Sequence, residues 1–367
     1  MMYSPTYIDL YTRSRCGKVE AYQELVRMSE DGDNLAKGFK AMLLQRSEIS
    51  LIPKNPTKSA SLFEEIIPWL FELEHDDLYN AAHVWYLIGF CYFEGFGIGA
   101  PNKTKAIYYH EQASDKGHSM AQCIIGCYYH VGNGVIQNIP KALKYYELSA
   151  AQHSPIAQYN VCRCYELGEG CEVDQAKARL YVEQSAGQGY AGGMYGFGQY
   201  YLAGKGGLER NASKAMRLFQ ESADQGYAPG LYAVGLHNMA VTRLNKERGF
   251  QYLLAAADQH HCRALSRVAR CYYEGEGVAA DIIEAVRYLR RAEKLITTVP
   301  EYSVFEATIA RQLEQYAPEY KAQVSDPWCH FLHVVCTNSR ILTYQPRGMI
   351  YMYIHKYICS RSIAAPA

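Results

Sequence analysis

Short amphipathic segments, each ended by paired glycines, follow one another along most of the chain. The stretch GFCYFEGFGIG at residues 89–99 has apolar and aromatic side chains at helical spacing, followed by glycines that a helix disfavours. The same shape returns as GCYYHVGNGV from Gly126, CRCYELGEGC from Cys162, GQYYLAGKGG from Gly198 and ARCYYEGEGV from Ala269, with a degenerate copy at Gly235. Successive copies are 37, 36, 36, 37 and 34 residues apart, so the interruption is a turn in a repeating unit.

Each unit predicts two antiparallel helices. The first ends at the paired glycines, where a positive φ costs little, and the second begins near Thr104, Pro140, Gln175 or Ala212. Neither helix can bury its apolar face alone, so the units must stack. The recurring positions, which we expect to be structural, are Gly89, Tyr92, Gly95, Gly97, Ala106, Gly126, Tyr129, Gly132, Gly134, Ala142, Tyr165, Gly168, Gly170, Ala178, Gly198, Tyr201, Gly204, Gly206, Ala215, Gly235, Tyr272, Gly275, Gly277 and Ala285.

These recurring residues resemble the Sel-1-like repeat, a relative of the tetratricopeptide repeat. The best copy is AQCIIGCYYHVGNGVIQNIPKALKYYELSA at residues 121–150. The fifth copy departs from the pattern, because Asn238 replaces the tyrosine and both loop glycines are missing. The resemblance implies an all-α protein, a right-handed α-solenoid of antiparallel helix pairs with about 36 residues per repeat.

The repeat phase also predicts how the chain is divided. We expect an N-terminal extension at 1–16, one or more degenerate helical repeats at 17–83 and an array of about six units at 84–296. Helices that cap the array are expected at 297–324. Residues 325–367 lack the repeat phase and have few acidic side chains, which predicts an atypical tail outside the fold.

Composition narrows the classes of partner. The 367 residues include 37 Lys and Arg and 37 Asp and Glu, and this zero net charge argues against nucleic-acid binding. No apolar run is long enough for a membrane helix, and the N-terminus lacks the apolar segment of a secretory signal. The 12 cysteines therefore predict reduced thiols and a cytoplasmic location.

Candidate chemistry in the sequence is weak. Three groups of residues were considered as metal ligands, and none has the paired spacing of a zinc site. They are Cys162, Cys164, Cys171 and His153; His118, Cys123, Cys127 and His130; and His260, His261 and Cys262. Cys91, Cys164 and Cys271 share one repeat position, which favours buried structural thiols. Phosphate-loop and serine-nucleophile motifs are also lacking. We therefore predict no catalytic residue, no metal and no cofactor.

Three rows of first-helix residues are expected to face a groove, because the resemblance places them on the concave side. They lie three before, one after and four after the first glycine of each unit. Aromatic side chains interspersed with Arg are typical of binding hot spots. The candidate residues are Tyr86, Phe90, Phe93, His130, Tyr159, Arg163, Glu166, Tyr195, Gln199, Tyr232, Arg270 and Tyr273. In the competing interpretation the tyrosine row is part of the core.

The resemblance implies a non-catalytic scaffold or adaptor that binds a peptide or protein partner on its concave face. One alternative is an adaptor subunit of a ubiquitin-ligase complex in endoplasmic-reticulum-associated degradation. Another is a hydrolase of the lactam-binding type found among secreted bacterial relatives, although the paired cysteine spacing of those relatives is missing here. The oligomeric state and the partner stay open.

Overall fold

Helices make up most of the described chain. The computed structural model describes residues 6–46, 54–74, 81–240, 243–298 and 300–324, and within these ranges it contains no strand. No helix in these ranges has the length and apolarity needed to cross a membrane. The predicted tail at 325–367 lies outside the described residues.

The helix bounds follow the predicted units closely. The helices are α1 Thr6–Arg15, α2 Val19–Glu30, α3 Asn34–Arg46, α4 Pro56–Glu72, α5 Ala81–Glu94, α6 Lys103–Asp115, α7 Ser119–Val131, α8 Ile139–Ala151, α9 Pro155–Leu167, α10 Gln175–Gly187, α11 Ala191–Ala203, α12 Ala212–Asp224, α13 Ala228–Met239, α14 Arg243–Asp258, α15 Cys262–Glu274, α16 Ile282–Thr298 and α17 Glu306–Val324, with a short 3-10 turn at Pro300–Phe305.

Each helix packs against the helices before and after it in the chain, from α5 and α6 through α15 and α16. Neighbouring first helices also contact each other, as α9 does α11 and α11 does α13. This order of contacts defines an all-α solenoid of stacked hairpins, as the repeat pattern predicts. The first helices form one layer and the second helices the other.

Glycine turns end the first helices, as predicted. Gly132, Gly168, Gly204 and Gly275 cap α7, α9, α11 and α15 with φ values of 77°, 73°, 70° and 70°. The second helices begin at side-chain caps, for example Asn138, whose oxygen accepts from the backbone nitrogen of Lys141. Both devices act within a few residues, which is why the sequence reveals them.

Residues that recur at fixed positions of the repeat fill the space between the two helices of each unit. The alanines at the recurring second-helix position are completely buried; they are Ala106, Ala142, Ala178, Ala215 and Ala285. The Tyr129 ring stacks on that of Tyr145 at 6.0 Å, and Lys141 lies over the Tyr129 ring at 3.9 Å. The fifth unit still packs closely, because Gly235 lets α13 approach Leu253 of α14.

The N-terminal helix is part of the folded body. Leu10 and Tyr11 of α1 lie in the same core as residues of α3 and α5. The turn after α1 also reaches distant units. A Cβ built on Gly17 would lie 3.3 Å from Cδ of Gln225, and one built on Gly189 would lie 3.5 Å from the carbonyl oxygen of Cys16. The turn after α1 therefore lies against the turns that follow α10 and α12.

Candidate partner-binding face

The tyrosine row of the first helices forms contacts between successive repeats. Of the five positions in this row, four are tyrosines. Each of these packs on the ring of the residue that comes immediately before the next first helix. The ring pairs are Tyr86 and His118 at 4.5 Å, Tyr159 and Tyr190 at 6.0 Å, Tyr195 and Tyr227 at 6.0 Å, and Tyr232 and His261 at 4.9 Å. We call each such pair an aromatic joint. Of these four tyrosines, Tyr86 is buried in the core, and the other three are half-buried.

Two candidate groove residues are buried by neighbouring elements. Tyr86 and Phe90 are each only 1% exposed, since they lie inside the core shared with α3 and α4. The prediction that these two side chains face an open groove is wrong, because elements that precede the six units cover them. Tyr273 is half-buried: its ring stacks on that of Tyr316 in α17 at 4.0 Å, and its hydroxyl donates to Glu319.

One row of first-helix residues is exposed from the second unit to the sixth. It lies one residue after the first glycine of each unit, or one after the residue that replaces that glycine. Its members, here called the exposed row, are Cys127, Arg163, Gln199, Leu236 and Arg270. In the first unit the same position is the buried Phe90. The exposed row therefore marks a continuous surface across five repeats.

One turn further along these helices, Phe93, His130 and Glu166 are half-buried. Lys205 donates to Oε1 of Glu166 at 2.7 Å, which ties the loop of the fourth unit to the third. Phe93 is half-buried, its ring 6.2 Å from that of Tyr128. On the exposed row, Arg270 donates to Glu274 on its own helix at 2.8 Å. Within the described ranges, no ion pair holds the exposed guanidinium of Arg163.

Burial keeps the hydroxyls of two tyrosines in the tyrosine row neutral. Burial raises the pKa of Tyr195 and of Tyr232, and the nearby Arg263 partly offsets this in both. Gln199 donates a short hydrogen bond to the Tyr195 hydroxyl. The inner surface therefore offers neutral phenol groups beside fixed positive charge, which suits polar recognition.

A mixed group of ligand-type side chains was missed by the sequence reasoning. One ligand atom from each of His130, Cys164 and Glu169 lies within 4.8 Å of the others. His130 and Cys164 belong to two different groups of candidate metal ligands in the sequence, and Glu169 belongs to none of them. The signal in the sequence is the recurrence of Cys164 and Glu169 as Cys271 and Glu276 at the same positions of the repeat. His130 belongs to the preceding unit, so the group appears only when neighbouring units are compared.

The stacked helical hairpins and the glycine turns define a Sel1-type helical repeat protein. The Sel1 repeat profile matches residues 86–118, 119–154, 155–190, 191–227, 230–261 and 262–295, more than half of the chain. The chain belongs to the Sel1 repeat family. Proteins of this family are generally scaffolds for protein–protein interaction. A comparison with curated proteins found no match.

Solved structures with similar architecture come from several bacteria. The Sel1 repeat protein from Oxalobacter formigenes is 21% identical, with a TM-score of 0.53 over 82% of this chain and 81% of that one. A protective antigen of uropathogenic Escherichia coli with the same repeat fold is 16% identical, with a TM-score of 0.35 over 90% of this chain and 85% of that one. Immunity protein PA5088 from Pseudomonas aeruginosa is 19% identical, with a TM-score of 0.44 over 59% and 82%. The first of these likenesses shows the fold alone.

Proposed function

We infer that this protein is a non-catalytic scaffold that binds an extended peptide segment along the exposed row. The observation that carries the proposal is that five successive repeats each present one exposed side chain at the same position. A partner that runs across the repeats can contact these positions in turn, as solenoid surfaces allow. The aromatic joints beneath the row hold its spacing.

The chemistry of the row favours a partner with acidic side chains. Arg163 and Arg270 stand at the third and sixth repeats, and Arg263 lies close enough to the Tyr195 and Tyr232 hydroxyls to offset part of the rise that burial causes in their pKa. Guanidinium groups bind carboxylates through paired hydrogen bonds. Leu236 and the half-buried tyrosine rings add apolar contact area between them.

The test is proximity labelling in the native cell, with the labelling enzyme fused to the full chain. The variant R163E/R270E reverses two charges on the exposed row. We expect specific partners to lose about tenfold of their enrichment, the size of a hot-spot loss. Unfolding curves of both proteins show whether the variant keeps its stability.

The control variant is R217E/R290E, which reverses two exposed arginines on the second helices α12 and α16. Both arginines sit in exposed ion pairs on their own helices, with Glu221 and Glu293. We expect it to retain the wild-type set of partners. Unchanged labelling by R163E/R270E, or equal loss in both variants, would count against the exposed row as the binding surface.

A reducing compartment such as the cytoplasm belongs to the same proposal. Its support is that the nine described cysteines are free thiols. Intact mass under non-reducing conditions, taken directly from cell lysate with the thiols trapped by an alkylating reagent, tests this. Full alkylation of the denatured chain is expected, and a disulfide-linked species would contradict it.

A further inference from the structure

The contact between the second and third repeats differs from its neighbours. At the position of the first ring in an aromatic joint stands Cys123, and at the second stands Ser154. In place of a ring pair, Asn160 donates to the Cys123 sulfur at 3.8 Å. This contact therefore lacks the ring pair that four other contacts between repeats have, and the two units are joined there by a shared apolar core that includes Cys123 and Cys164.

Three side chains with metal-ligand chemistry meet across this same contact. His130 comes from α7 of the second repeat, Cys164 from α9 of the third, and Glu169 from the loop after α9. Their ligand atoms lie within 4.8 Å of one another. Nε2 of His130 and Oε2 of Glu169 are 3.5 Å apart, close to the separation of about 3.4 Å that tetrahedral zinc imposes on a nitrogen and an oxygen ligand.

One carboxylate oxygen of this group has lone pairs that no hydrogen bond uses. Oε2 of Glu169 is buried without a hydrogen-bond partner among the described residues, and Nε2 of His130 lies 3.5 Å from it. Buried polar atoms normally have partners, so each such exception needs an explanation. A bound cation that attracts the imidazole and the carboxylate would supply one.

We propose that His130, Cys164 and Glu169 bind a zinc ion that links the second and third repeats. Nitrogen, sulfur and carboxylate oxygen together are the donor set that zinc prefers, whereas Mg²⁺ and Ca²⁺ take oxygen ligands. Three protein ligands leave the fourth tetrahedral position to water.

The sixth repeat supplies an internal control, since it repeats two of the three ligands. Cys271 and Glu276 occupy the positions of Cys164 and Glu169, but the residue equivalent to His130 is Met239. Glu276 is held by Lys246 and Arg267, each at 2.8 Å. Two cations on the carboxylate leave no place for a third, so zinc is expected at one location only.

The experiment uses the full chain without a histidine tag, stripped with chelator and titrated with Co²⁺. Wild type is expected to bind one ion with a thiolate-to-cobalt charge-transfer band, which Zn²⁺ displaces. C164S should lose the band. E169Q and H130Q should keep it and weaken binding by more than about tenfold, since even residues that only support a ligand cost 10–100-fold. Equal concentrations of Mg²⁺ or Ca²⁺ should not compete.

The matched controls are C271S and E276Q, which should bind Co²⁺ as the wild type does. The proposal is overturned if wild type shows no thiolate band, if the band persists in C164S, if Mg²⁺ or Ca²⁺ competes, or if the controls lose as much affinity as the ligand variants. Should circular dichroism show that C164S does not fold, E169Q decides the question, because its carboxyl is a third exposed. Wild-type affinity in E169Q then refutes the site.

Discussion

The loops of the third and sixth repeats carry the same pair of residues in different surroundings. In both, a buried cysteine lies near the end of the first helix, a glycine with positive φ follows, and a glutamate comes next. Glu276 accepts from Lys246 and Arg267 at 2.8 Å, whereas Glu169 lies 3.5 Å from His130. Residues at the same position of two repeats thus differ in their chemistry, because side chains of the preceding unit are part of their surroundings.

The electrostatics of the two cysteines follow this difference. Burial raises the pKa of Cys164 to about 12, and Glu169 adds to the rise. Burial raises the pKa of Cys271 to about 11, and there Arg267 opposes the rise. Equivalent positions in a solenoid can therefore keep the same packing residues while the chemistry at each contact between units differs. Four predictions probe this comparison, all with apo protein in chelator.

The largest effect is expected from the second glycine of each loop. In G277A the new Cβ would overlap the carbonyl oxygen of Lys246, and in G170A it would lie 2.9 Å from that of Ile139. Both positions have positive φ, at 73° and 78°. We expect losses in the free energy of unfolding of roughly 4 kcal/mol for G277A and roughly 3 kcal/mol for G170A, measured by chemical denaturation.

The control for this pair is G207A. Gly207 has a φ of 79°, but a Cβ there would have no atom within 4 Å. Its cost should be the backbone strain alone, about 1 kcal/mol. Three equal losses would show that the close approach to the preceding unit contributes nothing.

A smaller effect is expected from the two carboxylates. E276Q removes the charge that two cations share in a half-buried site, and should cost about 1 to 2 kcal/mol of unfolding free energy. E169Q removes a charge that lies 3.5 Å from His130 and whose Oε2 is buried without a hydrogen-bond partner among the described residues. Its effect on the unfolding free energy should therefore stay within about 0.5 kcal/mol. Parallel urea titrations measure both, and equal costs would contradict the comparison.

The pH dependence of E276Q sharpens the same contrast. The hydrogen bond from Lys246, with the charge of Arg267, lowers the pKa of Glu276. The unfolded chain therefore takes up the proton at a higher pH than the folded one, and the stabilisation is present above the ordinary pKa and lost as pH falls through the folded value. The difference between wild type and E276Q should shrink below about pH 4.3. If the difference in unfolding free energy between wild type and E276Q instead grew as the pH fell, the pKa of Glu276 would be raised by folding and not lowered.

The smallest effect concerns thiol reactivity. Because the pKa of Cys164 lies above that of Cys271, its thiolate should be rarer and alkylation slower by about tenfold. Mass spectrometry of peptides after timed alkylation measures both rates in one sample. The exposed Cys127 should react before either. Faster alkylation of Cys164 than of Cys271 would contradict the effects assigned to Glu169, which raises the pKa of Cys164, and to Arg267, which opposes the rise at Cys271.

Much of the fold could be predicted from residues that act locally. Gly132 and Gly168 end their helices because a positive φ suits glycine, and Asn138 caps the next helix within three residues. The candidate site was less predictable. Tyr159 and Arg163 are one helical turn apart, yet one contributes to an aromatic joint and the other is exposed. That distinction depends on how far each hairpin rotates against the next, which no single repeat encodes.

The sequence by itself determined the length of the unit, its two helices, its turns and its family, because caps, hinges and apolar spacing are short-range effects. Only the tertiary structure decided which first-helix row is exposed, that the turn after α1 lies against the turns that follow α10 and α12, and that His130 meets Cys164 and Glu169. These outcomes join residues of different units. They are fixed by the stacking geometry of neighbouring hairpins, a sum of many weak contacts that local patterns do not report.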